Sequence, residues 1–483
     1  MRVLIFEIWH VSPQFETGLE IAELHAQSGD EVNYVNIGGN LPYVEWYNIP
    51  KNFFLKKLYK WSVWLKIKRA KKVLNSKIKF STDLKLSQKE IFALKENLYF
   101  NHLDELKSYI WKEMDIGIAA ASSYITDTND MFPDTSILKN KFNDIIWSSK
   151  IVAESFQKYL VEVKPDKVYF RNGRVSNYRP ILRICQKENI NFEVHDRACD
   201  RFHYSLGPTY RHDWEMRKRE MLEVWQKGKT EERERIGNLF FQEKRARKDD
   251  SFKVFAKGQE IGTLPNSWDQ ANYNIVFFNS SISEYVAVGD EVNPNRIYTS
   301  QEESLLDIKS YIKNRKNVKF YLRLHPNLLN QSQTEKDIWY SMADENLEII
   351  YPDDTIDTYS LIDNSDLVIC YLSTVGIEAA YAKKPVILLG RSLYEGLDVC
   401  YAPDSKEELY GLLSQPRLAV KNTKNTEIFG FYMKTHGIKH IYYEPTGHRG
   451  GLFMGKKLQS LDFSKWNTKF HQVFHPILGK NKQ

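Results

Sequence analysis

The chain has 483 residues, of which 42% are hydrophobic and 27% are charged. This length exceeds one ordinary core and predicts two domains, and the composition is that of a globular protein rather than a membrane protein. The formal net charge of +6 is modest for this length, which argues against nucleic-acid binding.

Predicted strands and helices alternate through the first part of the chain. In order, the strands cover residues 3–8, 31–35, 167–171 and 191–195, and the main helices cover 15–27, 135–161 and 178–188. This alternation predicts an α/β domain with right-handed crossovers. The first βαβ unit lacks the G-x-G-x-x-G fingerprint, so no dinucleotide cofactor is expected.

Residues 51–72 form a basic segment, KNFFLKKLYKWSVWLKIKRAKK, without any acidic residue. On a helix, its lysines and aromatic residues would form a basic amphipathic surface of the kind that lies on an anionic membrane. The alternative is a helix whose apolar stripe packs on its own domain. Both interpretations stay open at this stage.

A second α/β pattern follows a densely charged stretch, 212–250, which predicts a solvated connector or a helical hairpin. Strands are predicted at 273–278, 318–323, 347–351 and 385–389, with helices at 301–313 and 334–344 between them. We therefore predict an N-terminal Rossmann-like acceptor and catalytic domain at 1–265 and a nucleotide-sugar-binding domain at 266–415. A tail, 416–483, is expected to cross back to the first domain.

Two strand ends in the second domain carry polar motifs. The sequence KFYLRLHPN ends one strand with His325 and Pro326, and SDLVICYLSTVGIEAA ends another with Ser373 and Thr374 at a helix start. Because the carboxyl ends of parallel strands share one edge, the two motifs are expected to meet at a single anion. A helix N-cap and a loop corner are the structural alternatives.

These motifs, with KPVILLG after them and FFNSSISE at 277–284, resemble bacterial surface-polysaccharide glycosyltransferases that use CMP-activated sugars. The resemblance implies two Rossmann-like domains facing a cleft (GT-B-like), with extra helices. It also implies that the sugar comes from a CMP-linked donor. The Asp/Glu-Asp/Glu-Gly tripeptide of the known sialyltransferases is absent, which favours Kdo or a related acidic sugar. The residues expected to bind the donor are Arg323, His325, Pro326, Ser373, Thr374, Gly376, Glu378, Ser280 and Ser281.

Sugar transfer also needs a carboxylate or an imidazole at the anomeric carbon. Asp196, at the end of the strand FEVHD, is the favoured candidate, with His195 beside it. Glu193 ranks second because its odd spacing from Asp196 would point it to the opposite face of the strand. A surface ion-pair loop is the structural alternative.

The acceptor is expected to bind at neighbouring polar residues of the first domain, namely Asn172, Arg174, Arg179 and Arg197. No D-x-D triplet and no His/Cys group with ligand spacing occurs, so neither a metal nor a cofactor is expected.

The sequence thus predicts a glycosyltransferase of capsule or lipopolysaccharide synthesis that acts on a glycan or lipid-linked glycan acceptor. Two alternatives are a CDP-polyol phosphotransferase and a non-catalytic glycan-binding or export subunit. Four cysteines without paired spacing and the absence of a signal-peptide pattern predict a cytoplasmic protein, at the inner membrane face if the basic segment binds lipid.

Overall fold

The computed structural model describes residues 1–45, 53–248, 255–281, 283, 285–289, 292–447 and 450–458. The strands are β1 Arg2–Glu7, β2 Glu31–Asn36, β3 Lys79–Ser81, β4 Lys167–Arg171, β5 Phe192–Arg197, β6 His203–Gly207, β7 Tyr273–Phe278, β8 Val318–Arg323, β9 Glu348–Ile350, β10 Leu367–Cys370, β11 Val386–Leu388, β12 Ile438–Lys439, β13 Tyr443–Gly447 and β14 Gly450–Phe453.

The helices are α1 Gln14–Gln27, α2 Phe53–Val73, α3 Gln88–Ala93, α4 Leu103–Lys107, α5 Ile116–Thr128, α6 Thr135–Val163, α7 Arg179–Lys187, α8 Trp214–Lys227, α9 Thr230–Arg245, α10 Gln301–Ile312, α11 Gln333–Tyr340, α12 Thr358–Asn364, α13 Val375–Tyr381, α14 Lys406–Leu413 and α15 Thr426–Thr435.

Two sheets organise the molecule. The first has the order β12-β6-β5-β4-β1-β2-β3, and the second has the order β11-β10-β7-β8-β9. Within these two sheets all pairs are parallel except β5 with β6 and β6 with β12, and β13 and β14 form a separate antiparallel pair. The central strands are continuous apolar runs, as in β1, where Val3 to Phe6 are fully buried, and helices cover both faces of such strands in α/β folds. The predicted α/β class with two Rossmann-like units is confirmed.

The charged stretch after β6 forms two helices, α8 and α9, and both pack against the tail helix α15 rather than chiefly on each other. The tail helix α15 packs against α9 at a glycine contact, where a side chain on Gly430 would lie 2.2 Å from the carbonyl oxygen of Gly237. From there the chain returns to the first sheet, because β12 pairs with β6. The sequence did not predict β6 or β12. The domain boundaries stay a prediction, and residues 459–483 of the tail lie outside the described ones.

The basic segment forms helix α2 from residue 53 onward, while residues 51 and 52 lie outside the described part. Tyr59, Val63 and Ile67 are buried on one face, whereas Trp61 and Trp64 are 50% and 46% exposed on the other. Within the described residues, no helix combines the length and apolar character that crossing a bilayer requires.

Candidate active site

A cavity of about 730 Å³ lies between the two α/β units. It opens where the carboxyl ends of strands from both sheets meet, the position at which α/β folds bind ligands. Its polar lining residues are Thr126, Asn129, Arg174, Asp196, Arg197, Arg211, His212, Arg217, Ser281, Ser283, Asn327, Asn330, Gln331 and His436.

Asp196 is the carboxylate in this cavity. It lies near the end of β5, where one carboxylate oxygen accepts a hydrogen bond from Asn172 Nδ2 at 2.8 Å and the other accepts from the Arg197 backbone N–H at 2.8 Å. The Arg171 guanidinium is 3.7 Å away. Burial alone would raise the pKa of Asp196, but Arg171 and the two hydrogen bonds outweigh it and hold the pKa below its usual value. Asp196 is therefore an ionised carboxylate.

Arginine dominates the charge of the cavity lining. Arg174, Arg197, Arg211 and Arg217 line it, and Asp196 is the single acidic residue among the described lining residues. Several of these guanidinium groups are held in place: Arg174 donates to Thr126 Oγ1 at 3.2 Å, and Arg211 pairs with Glu220 at 2.8 Å. A cavity with this charge suits an anionic ligand such as a phosphate or a carboxylate.

Asn172 and Gly173 turn the chain sharply after β4, with φ values of 59° and 77°. This turn directs the Asn172 side chain to Asp196, while its amide oxygen accepts from the backbone N–H of Arg174 at 3.0 Å. Asn172 is 7% exposed and Arg174 8% exposed. The predicted acceptor residues Asn172, Arg174 and Arg197 are thus brought together around Asp196.

The fourth predicted acceptor residue, Arg179, has a different role. Its side chain is fully buried, donates to the Val288 carbonyl in the segment after β7 and lies 3.5 Å from Asp115. It directly follows Tyr178 and starts α7, and its guanidinium lies in the packing between α7 and neighbouring segments. The structure places it in the interior rather than in the cavity lining.

The neighbours of Asp196 on β5 also lie elsewhere. His195 is 1% exposed and its Nε2 bonds to Glu7, which in turn accepts from Tyr178 Oη at 3.0 Å. Glu193 forms an ion pair with Lys167 at 3.0 Å. Successive strand residues face opposite sides, which explains why His195 points away from the face that carries Asp196. Glu193 does not line the cavity, because its carboxylate pairs with Lys167 at the start of β4.

Two histidines in the cavity were not singled out in the sequence. His212 lies between β6 and α8, and its Nδ1 is buried without a hydrogen-bond partner among the described residues. His436 follows α15 and its Nδ1 donates to the Tyr432 carbonyl at 2.8 Å. Burial, then Arg211, lowers the pKa of His436 to about 3. His212 is the first residue of the charged stretch 212–250, which predicted only a connector or a hairpin, and the adjacent Arg211 was the one local signal for it.

The second unit contributes to the cavity through the loops after β7 and β8. Ser281 and Ser283 lie with their hydroxyl oxygens 3.3 Å apart, and Asn279 joins the two loops by accepting from the His325 backbone N–H at 2.6 Å. His325 Nδ1 accepts from Asn327 N–H at 3.1 Å, so the imidazole caps the 3-10 turn that starts at Pro326. Asn327, rather than His325 or Pro326, lines the cavity. Ser280 is held through its backbone by the Gln301 side chain.

Ser373 and Thr374 begin α13, as predicted, but they do not line this cavity. Ser373 Oγ accepts from the Val375 N–H at 3.2 Å, and Thr374 donates to Glu378 at 3.3 Å. Glu378 also accepts from Tyr359 Oη at 2.8 Å and lies 3.8 Å from Lys244. Its carboxylate is thus occupied between α9, α12 and α13.

Gly376 serves packing rather than ligand approach. A Cβ atom there would lie 2.3 Å from Tyr394 Oη and 2.5 Å from Cys370 Sγ. Arg323, also predicted to bind the donor, is 3% exposed and donates to the Tyr351 carbonyl at 2.6 Å. Burial lowers the pKa of Arg323 to about 10. The structure places both residues inside the second unit.

Among the described residues, one group of side chains has a metal-ligand arrangement, Cys199, Asp200 and His203 in the turn between β5 and β6. Asp200 Oδ1 already accepts from Phe202 N–H at 2.7 Å and lies 2.6 Å from His203 Nδ1. These bonds account for the turn without an ion. The expectation that the protein needs no metal stays a prediction.

One protein-family model matches this chain, within the second unit. Residues 290–408 match the family model of the "Capsule polysaccharide biosynthesis protein" family. This segment contains His325, Ser373 and Thr374, and the match confirms the resemblance to bacterial capsule proteins for about a quarter of the chain. No curated protein matches the sequence.

Similar solved structures include the β-Kdo 2,4 transferase of Thermosulfurimonas dismutans KpsC, at 11% identity over 56% of this chain and 79% of that one, with a TM-score of 0.36. The β-Kdo 2,7 transferase of the same protein has 14% identity over 58% and 80%, with a TM-score of 0.34. Methanocaldococcus jannaschii UDP-GlcNAc 2-epimerase has 13% identity over 89% and 98%, with a TM-score of 0.27. Similarity this low adds no weight to an assignment.

Proposed function

We propose that the protein is a glycosyltransferase of bacterial capsule or lipopolysaccharide synthesis, which transfers a sugar from a nucleotide-activated donor to a glycan acceptor in the cavity between the units. The observation that carries this proposal is the cavity lining, in which Arg174, Arg197, Arg211 and Arg217 surround the ionised Asp196. One carboxylate within a basic cavity suits a reaction in which an anionic leaving group departs from an electrophilic carbon.

The donor proposed is a CMP-linked acidic sugar, with Kdo favoured. A sugar phosphate of this kind carries negative charge on both the phosphate and the sugar carboxylate, and planar guanidinium groups bind both in bidentate fashion. The arginines would neutralise the leaving phosphate without a metal ion. The capsule family match over 290–408 supports a role in capsule synthesis.

Each side of the cavity has a separate role in this proposal. Ser281, Ser283 and Asn327 of the second unit hold the donor, and the loop around His325 borders them. Asn172, Arg174 and Arg197 of the first unit hold the acceptor. Asp196 then lies against the anomeric carbon between them.

Thermal unfolding in the presence of CMP, CDP, UDP and GDP tests the donor, because a ligand that binds the folded state raises the melting temperature. We expect CMP to give the largest rise and Arg217→Gln to reduce it. Arg219, an exposed residue on the same helix, provides the matched control, since Arg219→Gln should leave the rise unchanged. Equal stabilisation by all four nucleotides would contradict the donor assignment.

Analysis of the product tests the reaction class. A glycosidic linkage with release of CMP supports the proposal. A phosphodiester linkage would identify a CDP-polyol phosphotransferase, and glycan binding without turnover on any activated donor would identify a non-catalytic subunit.

We further propose that helix α2 brings the enzyme to an anionic membrane surface, where a lipid-linked acceptor resides. Its exposed face carries Trp61 and Trp64 together with Lys56, Lys57, Lys60, Lys68, Lys71 and Lys72. Lys66 does not belong to this face. It is 1% exposed and pairs with Glu16 at 2.8 Å, so the sequence-based grouping of Lys66 with the surface cations is wrong.

Binding to vesicles of anionic lipid at low salt tests this surface. A variant with Lys56, Lys57, Lys60 and Lys68 changed to Gln should bind much more weakly, since each surface cation contributes about 1 kcal/mol. Its melting temperature should not change. Wild-type protein that ignores such vesicles would show that α2 only packs on its own domain.

A further inference from the structure

We propose that His212 is the general base of the transfer, the group that takes the proton from the acceptor hydroxyl. This inference rests on the proposed function and adds a catalytic residue to it. Asp196 then acts as the carboxylate at the anomeric carbon and does not receive that proton.

The position of His212 supports this role. It lines the cavity together with Asp196, Arg174 and Arg217. Its ring meets Tyr285 edge-on, with 5.8 Å between ring centroids and a 73° interplanar angle. The Nδ1 atom is buried and has no hydrogen-bond partner among the described residues. A buried polar atom without a partner is costly, and a substrate hydroxyl would supply the missing partner.

The charges around His212 keep the imidazole neutral. Burial, followed by Arg174, Arg217 and Arg179, lowers its pKa well below the usual value, while Asp196 acts in the opposite direction. A neutral imidazole can accept a proton. An anionic donor bound between the arginines would offset their charge and raise the basicity of His212 when the substrates are in place.

The other two candidates fit the role less well. Both carboxylate oxygens of Asp196 already accept hydrogen bonds, from Asn172 Nδ2 and from the Arg197 N–H. His436 stacks on Tyr432 at 4.3 Å and its Nδ1 is already bonded to a carbonyl. His212 is the cavity imidazole whose Nδ1 lacks such a bond.

In the transfer step, the acceptor oxygen forms a bond to the anomeric carbon and its proton passes to an imidazole nitrogen of His212. The bond from that carbon to the group that held the sugar breaks, and this group leaves with the electron pair. The leaving group is the nucleotide phosphate in a direct displacement, or the Asp196 carboxylate if a glycosyl-enzyme ester forms first. His212 returns its proton to water after the product leaves.

The test measures CMP release from CMP-Kdo in the presence of a glycan acceptor. For His212→Ala we expect a kcat at least about 100-fold below wild type, with roughly tenfold recovery when imidazole is added to the solution. The rise in melting temperature with CMP should be retained. His203→Ala, a half-buried histidine outside the cavity lining, is the matched control and should keep normal turnover and show no response to imidazole.

A kcat within about threefold of wild type would overturn the proposal, because general-base catalysis contributes more than this. A loss that imidazole does not reverse would also overturn it and would assign the ring to packing against Tyr285. If His212→Ala does not fold, His212→Gln replaces it, with the same expected loss in kcat and the same threefold limit. Absence of turnover in the wild type would instead contradict the proposed function.

Discussion

The carboxyl edges of the two sheets look alike in sequence, and the structure uses them differently. At the edge of the first sheet, Arg174, Asp196 and Arg197 line an open cavity. At the edge of the second, Ser373, Glu378 and Arg323 bond to neighbouring parts of their own unit. Polar residues after a buried strand therefore mark an edge, and the tertiary structure decides which of them face a cavity.

The largest expected effect is at the first edge. Asp196→Asn should lower kcat by about 100-fold or more while leaving the CMP-induced rise in melting temperature intact, because the amide keeps its size but cannot act as a carboxylate. Steady-state CMP release measures the loss. Glu193→Gln, on the same strand but paired with Lys167, should change kcat less than about twofold if it has no catalytic role. Near-normal turnover of the Asn variant would reduce Asp196 to an ion-pair partner.

At the second edge the main effect should be on stability. Gly376→Ala places a methyl group within 2.3 Å of Tyr394 Oη, and such overpacking costs about 1–3 kcal/mol of the free energy of unfolding. Urea denaturation measures it. Gly396→Ala, where an added Cβ meets nothing within 4 Å, is the control and should cost much less. An unchanged midpoint for Gly376→Ala would leave room for a ligand at this turn after all.

The pH dependence of stability should reflect the cavity at the first edge. Burial lowers the pKa of His436 from 6.5, the value expected in the unfolded chain, to about 3 in the folded protein. Between pH 3 and 6.5 the unfolded chain therefore binds the proton more tightly than the folded protein does. The contribution of neutral His436 to the free energy of unfolding is fully present above pH 6.5. It is lost as the pH falls toward 3, by up to about 1.4 kcal/mol per pH unit. His436→Gln should flatten the fall in unfolding free energy between pH 6 and 4 as measured by urea titration. An unchanged slope would mean that His436 is not buried as neutral imidazole.

The smallest expected effect is a difference in CMP affinity between variants of two serine-containing loops. Ser281→Ala with Ser283→Ala should weaken CMP binding by about tenfold, since a hydrogen bond contributes about 0.5–1.5 kcal/mol net and these hydroxyls line the cavity. Ser373→Ala with Thr374→Val should weaken it less. Titration calorimetry with CMP compares the two pairs. The reverse order would restore the prediction that Ser373 and Thr374 hold the phosphate.

A comparison of predicted and observed strands and helices shows which of them the local sequence pattern could identify. The runs that form β1, β4, β7 and β8 are mainly apolar, and their predicted bounds agree with the structure within a residue or two. β12 was missed because it has two residues and lies at the sheet edge, where pairing partners rather than composition decide whether a segment is a strand. β6 was missed because its sequence, HYSLG, gives no continuous apolar run. The helix α5 was missed for a related reason, since its small residues give little periodic signal.

The sequence by itself determined the α/β class, the central strands of both sheets and the candidacy of Asp196, because hydrophobic periodicity and strand ends are local properties. Only the tertiary structure decided which polar residues reach the cavity. In the tertiary structure Arg179 and His195 are buried, and Glu378 bonds to Tyr359 and lies near Lys244. His212 and Arg217 line the same cavity as Asp196. The direction of a side chain, and the atom that satisfies it, depend on contacts between segments far apart in the chain, which no local pattern encodes.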